Sequence, residues 1–186
     1  MKKKIFVPVV AAALALCCAI GGTLAWLTDK TDPVVNTFTV GNVDITLAET
    51  TGQEYKMVPG CVVEKDPVVT VTENSEACWL FVKVEKPVDF DALMTYDMAD
   101  GWTSLTDVFG VFCRKVESAE TAQGFSVLKN DEVTVKDTVT KEQMDALTNA
   151  GSYPTLTFTA YAVQLYKTNG TEFTAAEAWA TVYAAS

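Results

Sequence analysis

The N-terminal stretch constrains this chain more than any other part of the sequence. Three lysines at positions 2–4 precede residues 5–28, which carry no charged side chain. The apolar run ends in small residues, and Thr23 and Ala25 have the small-x-small arrangement that signal peptidases accept. We therefore predict a signal peptide over residues 1–25, cleaved between Ala25 and Trp26.

Two other interpretations of this leader stay open. The uncharged run is long enough to span a bilayer, so an uncleaved leader would act as a membrane anchor. A lipoprotein signal needs a small residue immediately before its cysteine, whereas Leu16 precedes Cys17 here. The small-x-small site and the Gly21-Gly22 pair favour cleavage over both alternatives.

Beyond the predicted cleavage site the sequence divides into an arm and a domain. Residues 26–35 are polar in the middle and contain Pro33, so they lack the pattern of a packed strand. From Asn36 onward apolar and polar residues alternate, which is typical of a strand with one buried face. The alternation slips by one residue at Gly41-Asn42, where a bulge would restore the same face to the core. No linker or repeat divides residues 36–186, which we predict to form one domain.

Most of this domain is predicted to be β-structure. The segment 78–84 is apolar on both faces, as in an inner strand of a sandwich. The longest predicted strand covers residues 155–166, and weaker strands are predicted at 93–98 and 108–116.

Two short helices complete the predicted fold. Capping boxes begin at Thr140 and at Thr174, each with Gln or Glu three residues later. In the second helix Ala175, Ala178 and Trp179 share one face, which we expect to pack on the domain. The predicted class is all-β, an antiparallel β-sandwich with two short peripheral helices.

Three cysteines remain after residue 25: Cys61, Cys78 and Cys113. An odd number permits at most one internal disulfide, so the fold cannot depend on a disulfide framework. We interpret all three as small apolar residues in or beside strands. If residues 73–76 form a hairpin loop, Cys78 lies opposite Val71 and far from Cys61.

Charge excludes one class of partner. Residues 26–186 keep all 24 acidic residues but only 11 of the 14 basic ones, for a net charge of about −13. Nucleic acids and anionic membrane surfaces repel a chain of this charge. We therefore expect no nucleic-acid partner.

The chain contains no histidine. This excludes Ser-His-Asp and Cys-His nucleophilic sites and zinc sites with imidazole ligands. Acidic pairs such as Asp89/Asp91 lack the ligand spacing of a calcium loop, and we interpret them as solvated surface charge. A glycosidase-like carboxylate pair stays open in principle, although no pair stands out. We predict no enzymatic activity, no catalytic residue, no metal site and no cofactor.

Several segments together resemble the TasA/camelysin family of bacterial proteins. The most specific is the leader junction at residues 21–29 (GGTLAWLTD), followed by residues 36–45 (NTFTVGNVDI). Similar short segments are VPG at 58–60, KDP at 65–67, NSEA at 74–77, ADGW at 99–102, AYAVQ at 160–164 and AEAW at 176–179. The resemblance extends over nearly the whole chain.

This resemblance implies a jelly-roll-like β-sandwich that is exported with a SipW-type signal peptidase. It also implies extracellular biofilm-matrix fibres, in which the N-terminal arm of one subunit completes a sheet of the next. An accessory anchor protein is a further implied partner. In this chain we assign the donor strand to residues 26–35, with these contact residues: Trp26, Leu27, Thr28, Val34 and Val35.

We therefore expect a secreted structural protein of a bacterial matrix or cell surface that polymerises with itself head to tail. The alternative is a monomeric or membrane-anchored surface module that binds a host or matrix ligand. A camelysin-like protease is least favoured, because the chain lacks histidine.

Overall fold

The computed structural model describes residues 42–52, 55–151 and 153–184, and all of them belong to one compact unit. The predicted leader, the arm and the slip at Gly41 lie outside these residues. The strands are β1 (Ile45–Ala48), β2 (Val62–Glu64), β3 (Val68–Val71), β4 (Cys78–Glu85), β5 (Met94–Thr95), β6 (Thr103–Ser104), β7 (Val111–Val116), β8 (Gln123–Ser126), β9 (Glu132–Val135) and β10 (Thr157–Gln164). The helices are α1 (Phe90–Leu93), α2 (Lys141–Ala150) and α3 (Ala175–Ala184), with a 3-10 turn at Lys129–Asp131.

The strands form three antiparallel sheets. The front sheet has the order β1-β3-β8, the back sheet β10-β4-β7-β6 and the end sheet β2-β9-β5. Val69 and Val71 of the front sheet pack in one buried cluster with Leu80 and Val82 of the back sheet. The predicted all-β sandwich class is therefore confirmed.

Strand β4 is buried on both faces because it lies in the middle of the molecule. Leu80 and Val82 point into the core between the two large sheets. Phe81 points the other way, and its ring lies 5.2 Å from the ring of Trp179 in α3. The prediction of an inner strand is confirmed, and α3 covers its second face, as the apolar side of that helix predicts.

The end sheet closes one end of the sandwich with a second apolar cluster. Val133 and Val135 of β9 pack there with Val63 of β2. Phe90 and Leu93 cover them from the single turn of α1.

Residues 73–76 do not form a hairpin loop, so the pairing of Cys78 with Val71 that such a loop implies is wrong. Strands β3 and β4 belong to different sheets, and Cys78 pairs with Val116 of β7. The turn carries the chain from the front sheet to the back sheet, and Asn74 takes a left-handed backbone conformation there (φ 59°). Val71 and Cys78 still share a buried cluster, because the sandwich brings them together across its core.

Two of the weaker strands are shorter than predicted. Within residues 93–98, Leu93 ends α1, β5 covers two residues and Met98 forms only an isolated bridge with Leu128. Strand β7 begins at Val111, three residues later than predicted. Gly110 ends the preceding turn with φ 74°, and a Cβ there would lie 2.6 Å from the carbonyl oxygen of Val84. This close approach of two backbones requires glycine. The positive φ of Gly110 is incompatible with an extended strand, so β7 begins after this residue.

The two predicted capping boxes are present. Thr140 accepts a hydrogen bond from the backbone N–H of Gln143, whose side chain accepts from the Thr140 N–H (2.8 Å). The N–H of Thr174 donates to the carboxylate of Glu177 (2.9 Å), and the Glu177 N–H donates to the Thr174 hydroxyl (3.3 Å). Both helix starts are therefore determined locally.

The three cysteines are free. Cys78 and Cys113 are buried in β4 and β7, and burial raises the pKa of the Cys78 thiol to about 11. Burial also raises the pKa of Cys113. Cys61 lies beside β2 but is exposed, so the apolar interpretation holds for the other two alone.

We predict that Glu177 makes the C-terminal helix sensitive to acid. Its hydrogen bond with Lys167, followed by those from Thr174, lowers its pKa from 4.5 to about 2. The contribution to stability is therefore complete above about pH 4.5 and is lost as the pH falls towards 2. Glu177→Gln keeps the capping geometry without the charge, so its deficit in the free energy of unfolding should be largest at neutral pH and vanish near pH 2. Urea unfolding at pH 7, 4 and 2.5 measures this, with the exposed Glu120→Gln as control. A deficit that does not change with pH would contradict the prediction.

Candidate functional site

The free edge of β10 is a candidate interaction surface among the described residues. Within them, β10 pairs with β4 on one side and has no strand on the other. Its eight residues, TFTAYAVQ, include no charge and no proline. Edge strands normally carry a charged residue or a proline, or stay very short. Without these features the unpaired backbone N–H and C=O groups can pair with a strand of another molecule. Among the described residues, the back sheet therefore has one edge without the usual protection against strand addition.

A second edge strand lies next to it. β1 is the outer strand of the front sheet and lies beside β10, although the two strands are not hydrogen-bonded neighbours. We call the space between β1 and β10 the seam. Residues 158–163 are half-buried along it, with Ala160 and Ala162 facing the core between the sheets and Tyr161 and Val163 facing α3.

One end of the seam opens into a groove of about 520 Å³. Ile45 forms its β1 side, Ala160 and Ala162 its β10 side, and Thr181 and Val182 its α3 side. The two alanines leave space where larger side chains would fill the edge of the core. The groove is therefore apolar and of a size to receive a large side chain.

The other end of the seam opens into a larger cavity of about 1220 Å³. Leu47 and Ala48 of β1 and Phe158 of β10 border it. Three methionines from separate parts of the chain also contribute to its wall: Met57, Met94 and Met144. Methionine adapts its shape to irregular apolar space, so this wall suits a bulky apolar group.

A polar network lies in the wall of this cavity. Lys65 Nζ lies 2.7 Å from Glu49 Oε1, and the Tyr55 hydroxyl donates to the same oxygen over 3.1 Å. The Lys65 ammonium also lies 5.5 Å from the ring centre of Tyr55 and 5.7 Å from that of Phe158. Partial burial, opposed by the Thr51 hydrogen bond, raises the pKa of Tyr55. Within this network the charge of Lys65 is balanced by that of Glu49.

The loop after β1 is fastened beside this network. The backbone N–H groups of Thr50 and Thr51 donate to Asp66 Oδ1 over 2.9 and 3.0 Å. The Thr50 hydroxyl, with these bonds, holds the pKa of Asp66 well below its usual range. The carboxylate thus stays charged and fixes the cavity end of β1.

The residues assigned to cleavage and to the donor strand lie outside the described residues. They are Ala25, Trp26, Leu27, Thr28, Val34 and Val35. The free edge of β10 was not predicted. Its only signal in the sequence is the absence of charge between residues 153 and 166, which does not reveal that β10 is an edge.

The described residues contain no group of three Cys, Asp or Glu side chains placed to hold a metal ion. The whole chain has no histidine. No helix among the described residues is both long and apolar enough to cross a membrane.

Comparison with known proteins gives one family. The sequence model of the M73 peptidase family, described as camelysin metallo-endopeptidase, matches residues 1–74. This region ends shortly before β4 and includes β1, one side of the seam. No curated protein and no solved structure gives a significant match to the chain. The resemblance to the TasA/camelysin family predicted from the sequence is confirmed by the match over residues 1–74.

Proposed function

We propose that this protein is a secreted structural protein of the extracellular matrix of a bacterium. Its copies assemble into fibres when the N-terminal arm of one, residues 26–35, adds a strand in the seam of another. The observation that carries this proposal is the uncharged, eight-residue free edge of β10 beside an apolar groove.

The addition of a strand would use both the unpaired backbone groups of β10 and the apolar spaces at the two ends of the seam. An incoming strand pairs with the unpaired N–H and C=O groups of an edge, and pockets for alternate side chains give specificity. The arm has apolar residues at both of its ends, Trp26-Leu27 and Val34-Val35. The groove and the cavity lie at the two ends of the seam and both have apolar side chains in their walls, so each end of the arm would find apolar contacts there.

In this proposal, export and signal-peptide cleavage come before assembly. A SipW-type signal peptidase would cleave after Ala25, and only then is Trp26 free to enter a neighbouring seam. Self-assembly begins outside the cell as a result. An accessory anchor protein would hold the fibre at the cell surface.

A metallo-endopeptidase activity, which the family description names, is not what we propose. Such an enzyme holds its metal with clustered imidazole or carboxylate ligands. This chain has no histidine, and its described residues bring no three Cys, Asp or Glu together. The residues that the structure describes do not fit a catalytic metal, and we derive no reaction step through one.

Two purified versions of the chain test the proposal, one starting at Trp26 and the other at Asn36. We expect fibres in negative-stain microscopy and a sedimenting fraction from the longer version only. Circular dichroism controls for folding in both. Folded monomers from both versions would overturn the proposal and favour a surface module that binds a host or matrix ligand.

A further inference from the structure

Arg114 is the only arginine of the chain, and it lies towards the side of the sandwich away from the seam. On this side β8 and β6 are the outer strands of the front and back sheets. The indole N–H of Trp102, beside β6, donates to the Ser126 carbonyl of β8 over 2.8 Å and ties the two sheets together there. Arg114 in β7 shares the inward face of Phe112 and Val116. Its half-buried side chain therefore lies at the rim of the core.

Neighbouring groups hold the guanidinium of Arg114 in place. Its central carbon lies 4.0 Å from the ring centre of Phe125 and 5.3 Å from that of Trp102. A Cβ on Gly101 would lie 2.9, 3.2 and 3.4 Å from Nη2, Cζ and Nη1. Because these three distances are similar, the turn at Gly101 lies over the flat face of the guanidinium. The absence of a side chain at this glycine is what leaves room for it.

The guanidinium has no oxygen acceptor among the described residues. Its Nε is buried without a hydrogen-bond partner. Nη1 and Nη2 have no partner in this part of the chain either, but they are not buried, so they reach the protein surface. The ring faces offset part of the charge and give the N–H groups no oxygen acceptor. By contrast, the ammonium of Lys115 lies 3.0 Å from Glu172 and 3.5 Å from Glu117.

The chemistry of this group favours one class of ligand. The planar fork of a guanidinium matches a carboxylate or a phosphate, each of which can accept two parallel N–H···O bonds. Here the site offers a single positive charge, and Asp100 is exposed in the adjoining turn. A carboxylate balances one charge, whereas a phosphate monoester carries about −1.5 to −2 and would leave an excess of negative charge beside Asp100.

We infer that the Nη edge of Arg114 is a binding site for a carboxylate group from outside the chain. This inference does not rest on the proposed function, since the site lies away from the seam. The ring contacts already hold the guanidinium in one orientation, so a ligand loses little affinity to the ordering of this side chain. The carboxylate comes from a dissolved molecule or from an aspartate or glutamate of a second copy, and the bonds to Arg114 are the same in both cases.

An NMR titration with sodium acetate tests the site. The version that starts at Asn36 serves here, because it contains all the described residues, which form one compact unit. Arg114 gives the only arginine Nε–H signal of the protein. At about pH 6 acetate is ionised, and sodium chloride at the same ionic strength controls for screening. We expect acetate, but not chloride, to shift this signal and the Trp102 indole N–H signal along one saturable curve.

Two variants separate the guanidinium fork from its charge. Arg114→Lys keeps the positive charge but loses the planar fork. We expect its affinity for acetate, followed at Trp102, to fall about tenfold or more, the effect of losing one charge-assisted hydrogen bond. Lys141→Gln removes an exposed positive charge from α2 and should bind acetate like the unsubstituted protein. Equal affinity of Arg114→Lys, or no saturable shift in the unsubstituted protein, would overturn the inference. The second outcome decides the matter even if Arg114→Lys does not fold.

The same spectra identify the source of the carboxylate. A shift of the Arg114 signal with protein concentration in chloride alone would support the inference with a second copy as the source. A shift that needs acetate would support it with a dissolved carboxylate as the source.

Asp100→Asn tests whether Arg114 pairs within its own chain instead. We expect this variant to bind acetate at least as tightly as the unsubstituted protein, because a nearby negative charge is removed. A double-mutant cycle of Asp100→Asn and Arg114→Lys, followed by urea unfolding, should show little coupling. A coupling of about tenfold or more in the unfolding constant would show an ion pair between the two residues and would overturn the inference.

Discussion

Replacing Ala162 by lysine is expected to abolish fibre formation while the domain stays folded. Ala162 is half-buried on β10 and lines the groove of the seam. A lysine there brings a charge to the free edge of β10, and the cost of desolvating that charge opposes the entry of another strand. Its aliphatic stem can lie along the groove with the ammonium in water, so the isolated domain tolerates it. The sedimenting fraction should fall to that of the chain starting at Asn36.

Ser104→Lys is the matched control for this variant. Ser104 is exposed in β6, on the opposite edge of the same sheet. The substitution adds the same charge to the protein without touching the seam, so fibres should persist. Fibres from Ala162→Lys at wild-type yield, with circular dichroism unchanged, would show that β10 is not the acceptor edge.

Replacing Phe81 by alanine is expected to lower the free energy of unfolding by about 3–5 kcal/mol. Phe81 is fully buried in β4 and contacts the rings of Trp79 and Trp179 at centroid distances of 6.5 and 5.2 Å. The substitution removes one of the two ring contacts that Trp179 of α3 makes with the back sheet, the other being with Tyr161, and leaves a cavity behind. Because α3 also forms one wall of the groove, assembly should weaken with stability. Urea unfolding followed by tryptophan fluorescence measures the loss.

Phe109→Ala makes the same chemical change at an exposed position. Phe109 is 89% exposed in the turn before β7. Surface substitutions of this kind usually change stability by about 0.5 kcal/mol or less. Equal losses from the two variants would contradict the role given to Phe81 as the link between β4 and α3.

Features that depend on a few neighbouring residues were predictable from the sequence. The capping boxes at Thr140 and Thr174 are present because each closes within four residues. The inner strand at residues 78–84 was also correct, since a strand that is apolar on both faces must be covered on both. Local hydrogen bonds and burial patterns carry this information without reference to the rest of the fold.

The partner of each strand was not predictable in the same way. The turn at residues 73–76 has the composition of a hairpin loop, yet β3 and β4 pair in different sheets. A local sequence specifies that the chain turns, whereas the pairing depends on which distant strands compete for each edge. Strand β3 pairs with β1 and β8, whereas β4 pairs with β10 and β7.

The neighbours of the only arginine in the chain could not be predicted from the sequence either. Arg114 lies between the rings of Trp102 and Phe125, at 5.3 and 4.0 Å from their centres, and burial lowers its pKa. A Cβ on Gly101 would lie 2.9 Å from its guanidinium, so the glycine makes room for it. Nothing near residue 114 in the sequence indicates two aromatic neighbours.

The sequence by itself determined the all-β class, the two capped helices and the lack of imidazole chemistry. These follow from periodicity, local hydrogen bonding and composition. Only the tertiary structure decided that β10 is an edge, that β1 lies beside it and that a groove and a cavity lie along the seam between them. A strand lies at an edge when no other strand pairs with its second side, and that depends on the order of strands from distant parts of the chain.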